Sequence, residues 1–244
     1  MVDFWPPVIL SLKTAFVSVL IVLITGVCLG KLMARKRFRG KSFIETALLL
    51  PVVLPPSVVG FLLIIVFGRN GWLGKTLEWL FGQPIIFSWW ATVIASSVVA
   101  FPLMYQSAKN GFEAIDKEIE DASRVEGANE WNVFVYVSLP LAMKSIVSGF
   151  VLSFARALGE FGATLMFAGN IPGKTQTVPT AIYVAMDSGN MKMAWLWVIT
   201  MVMISFFMLV FVTIFNKRII FKWFLENKSG RHEKSLAYMA IIYV

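Results

Sequence analysis

The sequence has few charged residues, and it contains one cysteine and one histidine in 244 positions. Lysine, arginine, aspartate and glutamate together make up 15% of the residues, whereas about 25% is usual in soluble proteins. Hydrophobic residues make up 58%. This composition excludes an ordinary soluble enzyme and indicates an integral membrane protein. The single Cys28 excludes a disulfide framework among these residues.

Sequence signatures of catalysis and nucleotide binding are also missing. The chain has neither a Gly-x-Gly-x-x-Gly nor a Gly-x-x-x-x-Gly-Lys-Ser/Thr phosphate loop, so we expect no ATP binding or hydrolysis by this chain. His232 is the sole histidine, which rules out a His-Glu-x-x-His metal site, and no nucleophile–base pair is recognisable. We therefore expect no catalytic residue, no cofactor site and no metal site.

The net charge of +8 is better explained by membrane topology than by binding of nucleic acid. Sixteen of the 22 lysines and arginines fall in the loops 31–41 and 109–144 or in the tail after residue 215, and four fall on the opposite side. The positive-inside rule then predicts an outer N-terminus and a cytoplasmic C-terminus if there are five spans. We expect a multi-pass protein of the cytoplasmic membrane, in contact with lipid.

Five apolar blocks are long enough to cross a bilayer, which takes about 20 helical residues. None of them alternates like a barrel strand, so we expect helices. The sequence predicts an all-α bundle of five to six transmembrane helices in a single domain, residues 1–244. Proline pairs and single prolines predict kinks in the second and third blocks. The blocks are residues 8–30, 43–67, 85–108, 141–168 and 194–215, and the prolines are Pro51, Pro55, Pro56 and Pro102.

One segment on the outer side leaves the number of spans open. Residues 177–186 are predicted to form a short helix that lies in the outer membrane interface or dips between the spans. Alternatively, this helix pairs with the end of the fourth block and makes a sixth span. Residues 235–244 are apolar but too short to cross the membrane.

A polar island separates the third and fourth blocks. Seven of the 14 acidic residues lie between Glu113 and Glu130. The island has helical spacing and predicts a short amphipathic helix over residues 113–130 that ends near Gly127. We expect its charged face to be exposed for docking on a soluble partner; the alternative is an ordinary surface helix that links two spans. The apolar stripe is Ile115, Ile119, Ala122, Val125 and Ala128, and the residues away from it include Glu113, Glu120, Arg124 and Asn132.

The island resembles the signature loop of binding-protein-dependent ABC importer permeases, Glu-Ala-Ala, three residues, Gly, nine residues, Ile-x-Leu-Pro. The matching positions are Asp121, Ala122, Ser123, Gly127, Val137, Leu139 and Pro140. The resemblance implies a type I importer permease fold whose loop forms a coupling helix in a groove of an ATPase subunit, with Glu120 and Arg124 in the same coupling loop. Pro140 is expected to cap the entry to the next span, where a stiff joint would pass motion into the membrane; the alternative is a simple helix start after an irregular connection.

A second resemblance concerns the substrate. Residues 155–164 and 166–177, which include the run Ile-Pro-Gly-Lys-Thr-Gln-Thr, are similar to molybdate transporter permeases and less closely to sulfate permeases. The resemblance implies a homodimer of this subunit, a pair of cytoplasmic ATPase subunits that bind ATP and Mg, and an extracytoplasmic oxyanion-binding protein. The expected substrate is molybdate, with tungstate commonly accepted. The alternatives are sulfate, thiosulfate or another oxyanion, and more remotely a stand-alone secondary carrier or channel.

Several polar residues lie within the fourth block. Arg156 and Glu160 are four residues apart and share a helix face, so they form either a structural ion pair or part of an anion path. Ser153 and Thr164 either line the translocation path or hydrogen-bond within their own helix. Small residues in this block, Gly159, Gly162 and Ala163, predict close helix packing, with the dimer axis as one location.

Overall fold

The computed structural model describes residues 3–36 and 38–228, with the side chains of residues 81 and 211–228 excepted. Every regular element within these ranges is helical. His232 and the apolar tail 235–244 lie outside the described residues. The elements are α1 (Trp5–Arg35), α2 (Lys41–Val53), α3 (Pro56–Phe67), α4 (Trp72–Phe81), α5 (Trp89–Glu113), α6 (Lys117–Val125), α7 (Glu130–Asn132), the π-helical segment π1 (Val133–Ser138), α8 (Leu139–Leu158), α9 (Gly162–Ala168), α10 (Val178–Asp187) and α11 (Met191–Lys228).

The described helices include four that are long and apolar enough to cross a membrane. They are α1, α5, the continuous segment Glu130–Leu158, and the part of α11 over Met191–Val210. The pair α2 and α3 counts as a fifth span if it is taken as one broken helix. The all-helical, membrane-spanning class predicted from the sequence is therefore confirmed.

The second predicted block, residues 43–67, is broken rather than merely kinked. The axes of α2 and α3 differ by 117°. Leu54 and Pro55 between them are extended, each with ψ of 139°. Two consecutive prolines explain the break, because each lacks an N–H and each disfavours helical backbone in the residue before it. Pro51 and Pro102, in contrast, lie inside α2 and α5.

The fourth predicted block, residues 141–168, also differs in its limits. The helical segment begins at Glu130 and ends at Leu158, and α9 is a separate short helix. The Glu160 carboxylate Oε1 accepts a hydrogen bond from the Ala163 backbone N–H at 2.8 Å. Glu160 thus caps the start of α9, which gives the chain a local alternative to continuing α8.

Small residues bring α1, α5 and α8 into close contact. A Cβ added to Gly26 would lie 2.8 Å from the Met104 side chain, and one added to Gly149 would lie 2.6 Å from Ser107 Cβ. Such approaches allow dispersion contacts between helices where lipid supplies no hydrophobic driving force. Hydroxyl groups add hydrogen bonds between α1 and α5. The Ser18 hydroxyl donates to Val93 O at 3.0 Å. The Thr14 hydroxyl lies 3.2 Å from the Thr92 hydroxyl.

The bundle has two different ends, which we name by their short helices. At the α6 end lie the C-terminal turns of α1 and α5. At the α10 end, α10 packs against the first turns of α1 and α11, where Trp197 Nε1 donates to Phe4 O at 3.0 Å. The Val178 N–H donates to the buried Ser11 hydroxyl at 2.7 Å. The short helix predicted over 177–186 is confirmed as α10.

We predict that Gly60→Ala destabilises the fold. A Cβ at Gly60 would lie 2.6 Å from Met166 Cβ and 3.1 Å from Ala163 Cα, so α3 and α9 would have to separate. Overpacking of this kind costs about 1–3 kcal/mol. Thermal unfolding of the purified protein in detergent measures the loss. Gly159→Ala is the matched control, because the nearest atom to its Cβ would be at 3.6 Å; equal loss in both variants would contradict the packing account.

Candidate functional site: the short helix outside the spans

The helix α6 has defined caps at both ends. Asp116 Oδ1 accepts the Glu118 N–H at 3.1 Å at its start. At its end, the Gly127 N–H bonds to Arg124 O at 3.0 Å and the Ala128 N–H bonds to Ser123 O at 3.1 Å. These two bonds form a Schellman motif, which needs a left-handed residue, and Gly127 has φ of +97°. The helix is therefore shorter than the predicted 113–130 but ends where Gly127 predicts.

On α6, one residue of the expected charged face points inward and the apolar row points outward, which differs from our expectation. Glu120 is 2% exposed, and among the nine residues of α6 it alone is buried. Val125 is 89% exposed and Ile119 38% exposed, and Ala122 between them is exposed as well. The expectation that Glu120 lies on an exposed charged face is wrong. We name the outward row Ile119, Ala122 and Val125 the apolar stripe.

Glu120 is buried in a cluster of opposite charge. Its Oε1 accepts from Lys31 Nζ at 2.6 Å and from the Ser138 hydroxyl at 2.5 Å, and its Oε2 lies 2.9 Å from Arg35 Nη2. Lys31 also donates to Ser138 Oγ at 2.7 Å. We name these four residues the Glu120 cluster. It joins α1, α6 and π1.

The charges in this cluster determine the protonation state of its carboxyl group. Burial alone would raise the pKa of Glu120. The hydrogen bonds from Lys31 and Ser138, together with the positive charges on α1, outweigh burial, so the pKa of Glu120 lies below its usual value. The carboxylate is therefore ionised at neutral pH and holds both cations.

Arg124 forms a second, more exposed set of contacts. Its Nη1 lies 2.6 Å from Asp121 Oδ1, and its Nε lies 2.6 Å from Glu130 Oε1. The bond to Asp121 lies within α6, and the bond to Glu130 spans the turn between α6 and α7. Because Asp121 and Glu130 are largely exposed, we expect each pair to contribute little to stability.

The second half of the signature loop lies at the junction of the π-helical segment π1 and α8. In π1 the Leu139 N–H bonds to Phe134 O, five residues back, and Val137 and Ser138 belong to this wide turn. Pro140 follows within the first turn of α8 and has no N–H to donate. The expectation that Pro140 begins the span is wrong, because the helical segment begins at Glu130 after an Asn129 cap.

The structure places the polar residues of the fourth block as follows. Arg156 Nη1 lies 2.7 Å from Glu160 Oε2, and Glu160 also caps α9. The buried Ser153 hydroxyl donates to Ala100 O on α5 at 3.2 Å. The Thr164 hydroxyl is buried with no hydrogen-bond partner among the described atoms. A role for these residues in a translocation path stays a prediction.

Sequence reasoning missed Lys31, Arg35 and Ser138. One signal was available, because Lys31 and Arg35 are four apart at the end of an apolar helix and share a face. Their partner lies 89 and 85 positions further along the chain, so nothing local identifies it.

These features define a multi-pass membrane protein with a short capped helix held outside its spans. The chain belongs to the family described as "Binding-protein-dependent transport system inner membrane component", which it matches over residues 26–221. It is 59% identical over 210 residues to the putative molybdenum transport system permease protein YvgM of Bacillus subtilis (strain 168), covering 86% of this chain and 92% of that protein.

Two further comparisons agree with this membership. The chain is 45% identical over 179 residues to the molybdenum transport system permease protein ModB of Escherichia coli (strain K12), covering 73% of this chain and 78% of that protein. A chain in the crystal structure of a bacterial alginate ABC transporter, in complex with an alginate pentasaccharide-bound periplasmic protein, superposes with a TM-score of 0.71. That match covers 88% of this chain and 79% of the other at 17% identity, and it shows the shared fold.

We predict a pH-dependent contribution of Glu120 to stability. Because its pKa is lowered in the folded protein, the stabilisation is complete above the unfolded carboxyl pKa of about 4.3 and is lost as pH falls through the folded value. Wild-type protein and Glu120→Gln should differ by about 1.5–3 kcal/mol at pH 7 and converge in acid. Thermal unfolding in detergent between pH 7 and acid measures this difference; a gap that does not change with pH would contradict the assignment.

Proposed function

We propose that this chain is the transmembrane permease subunit of an ATP-driven importer that carries molybdate, and with it tungstate, across the cytoplasmic membrane by alternating access. ATP and Mg bind to a separate ATPase subunit, so the permease itself carries out no chemistry. The relatives described above, both named as molybdenum transport permeases, support the substrate. The family membership supports the transport class.

The observation that carries the proposal is the outward apolar stripe of α6. A continuous row of exposed apolar side chains on a helix outside the spans, with Val125 89% exposed, favours contact with another protein. Ala122 permits close approach there. Carboxylates border the stripe, namely Glu118, Asp121 and Glu126, all of them exposed. We assign this surface as the docking site for the ATPase subunit. The family signature residues Asp121, Ala122, Ser123 and Gly127 lie in and next to it.

The proposed orientation puts the α6 end in the cytoplasm, as the distribution of basic residues predicts. The α10 end then faces the oxyanion-binding protein. An open cavity of about 1010 Å³ at that end is lined by Arg69 and Lys174, and its described lining residues include no carboxylate. A cationic cavity is suited to receive an oxyanion. A second copy of the chain completes the pathway as a homodimer.

We predict that Val125→Asp prevents assembly with the ATPase. The substitution puts a charge into an apolar contact, and loss of a strong contact residue weakens binding by at least about 30-fold. Copurification of tagged permease with its ATPase measures this loss. Val125→Leu keeps the contact apolar and is the control. Because Val125 is exposed, both variants should melt like wild type, and an Asp variant that assembles normally would refute the docking surface.

Molybdate uptake tests the substrate directly. Permease, ATPase and binding protein are reconstituted together in lipid vesicles, and uptake is measured with and without ATP. We expect ATP-dependent molybdate uptake that tungstate inhibits and that a large excess of sulfate leaves unchanged. Equal inhibition by sulfate would favour the sulfate importer alternative. Uptake without nucleotide would favour a secondary carrier.

A further inference from the structure

The helix α6 is attached to the bundle through one buried side chain. Among the nine residues of α6, Glu120 alone is buried, and its carboxylate bonds to α1 and π1. The chain also connects α6 to its neighbours at both ends. Three residues, 114–116, lead from α5, and the turn over 126–129 contains the left-handed Gly127. Within α6, Glu120 is therefore the one buried side chain that contacts the bundle.

The partners of Glu120 are themselves tied to other elements. Lys31 Nζ lies 5.3 Å from the centre of the Phe112 ring on α5. Arg35 Nη2 donates to Ile115 O, in the connection before α6, at 3.4 Å. One carboxylate thus connects α6 with the end of α1, and through it with the end of α5. The bonds of Glu120 to Lys31 and Arg35, at 2.6 and 2.9 Å, are charge-assisted, and bonds of this kind are among the stronger polar contacts in proteins.

Two acceptor oxygens lie within hydrogen-bond distance of the Ser138 hydroxyl group. It donates to Glu120 at 2.5 Å, and Val133 O lies 3.4 Å away within the same π-helical turn. If Glu120 moves with α6, the Ser138 hydroxyl has an internal partner to turn to. Short π-helical segments have weaker geometry than α-helix and are frequent at functional positions. The segment π1 leads directly into α8, so a change of partner at Ser138 would occur at the start of that helix.

We propose that Glu120 is the positioning residue through which movement of α6 is transmitted to α1 and, by way of Ser138, to π1 and α8. This inference rests on the proposed function, because it assigns the route by which the ATPase moves the spans. The apolar stripe binds the partner, and Glu120 on the opposite face transfers the displacement.

The test compares docking with coupling in the assembled complex in lipid. Glu120→Gln leaves the apolar stripe intact, so we expect normal copurification and ATP hydrolysis. Oxyanion transported per ATP hydrolysed should fall about tenfold, within the range usual for energetic coupling between sites. Transport per ATP equal to wild type would overturn the proposal. A purely structural role would lower the amount of complex and leave this ratio unchanged.

The matched control is Glu113→Gln. Glu113 also pairs with a lysine, Lys109 at 3.6 Å, but both residues belong to α5 and the pair bridges no elements. We expect a wild-type ratio. If Glu120→Gln fails to assemble, Ser138→Ala decides the matter, because it removes the hydroxyl that bonds to Glu120 and Lys31 without removing charge. A lowered ratio would support the proposal, and a wild-type ratio would overturn it.

A second measurement does not depend on the substrate. Hydrogen exchange of the amides in 31–35 and 133–138 is followed with and without ATP. We expect ATP to change exchange in wild type and in Glu113→Gln, but not in Glu120→Gln. A nucleotide response in all three would overturn the proposal. If wild type responds to ATP but transports no oxyanion, the proposed substrate fails and the role of Glu120 stands.

Discussion

The α6 end depends on the cost of burying a carboxylate. An ionised side chain excluded from water is unstable unless opposite charges and hydrogen bonds surround it. The end of α1 supplies two cations, and π1 supplies a hydroxyl, at distances of 2.5–2.9 Å. Once Glu120 is drawn inward, helical geometry determines the rest. The residues about half a turn away must point outward, and these are the apolar ones. A charge cluster thus exposes a hydrophobic surface.

Much of the fold could be predicted from the sequence, because hydropathy reports the transfer of side chains into lipid. That property identified α1, α5 and the first part of α11. It does not report backbone hydrogen bonding, and so it missed the break at Pro55 and the cap by Glu160 that separates α9. The start at Glu130 was missed because the first turns of that helix are polar. The burial of Glu120 was missed because its two cationic partners, Lys31 and Arg35, lie more than 80 positions away.

For the small residues of the fourth block, close packing could be predicted from the sequence, but the partner they pack against could not. Close packing was predicted for Gly162 and Ala163, and the structure has both in contact with the broken second span. A Cβ on Gly162 would lie 2.8 Å from Pro56 Cβ. This contact lies within one chain. In the same region both oxygens of Glu160 are engaged, one by Arg156 and one by the Ala163 N–H, which favours the structural alternative for that pair.

The π-helical turn also affects how the sequence of this segment is interpreted. A hydrogen bond to the fifth residue back accommodates one more residue than an α-helical turn. Each additional residue rotates the following side chains by roughly 100° about the axis. A helical wheel drawn from Glu130 without this correction would assign every position after Ser138 to the wrong side. Which side chains after Ser138 face lipid, a neighbouring helix or a cavity therefore follows only once the wide turn is taken into account.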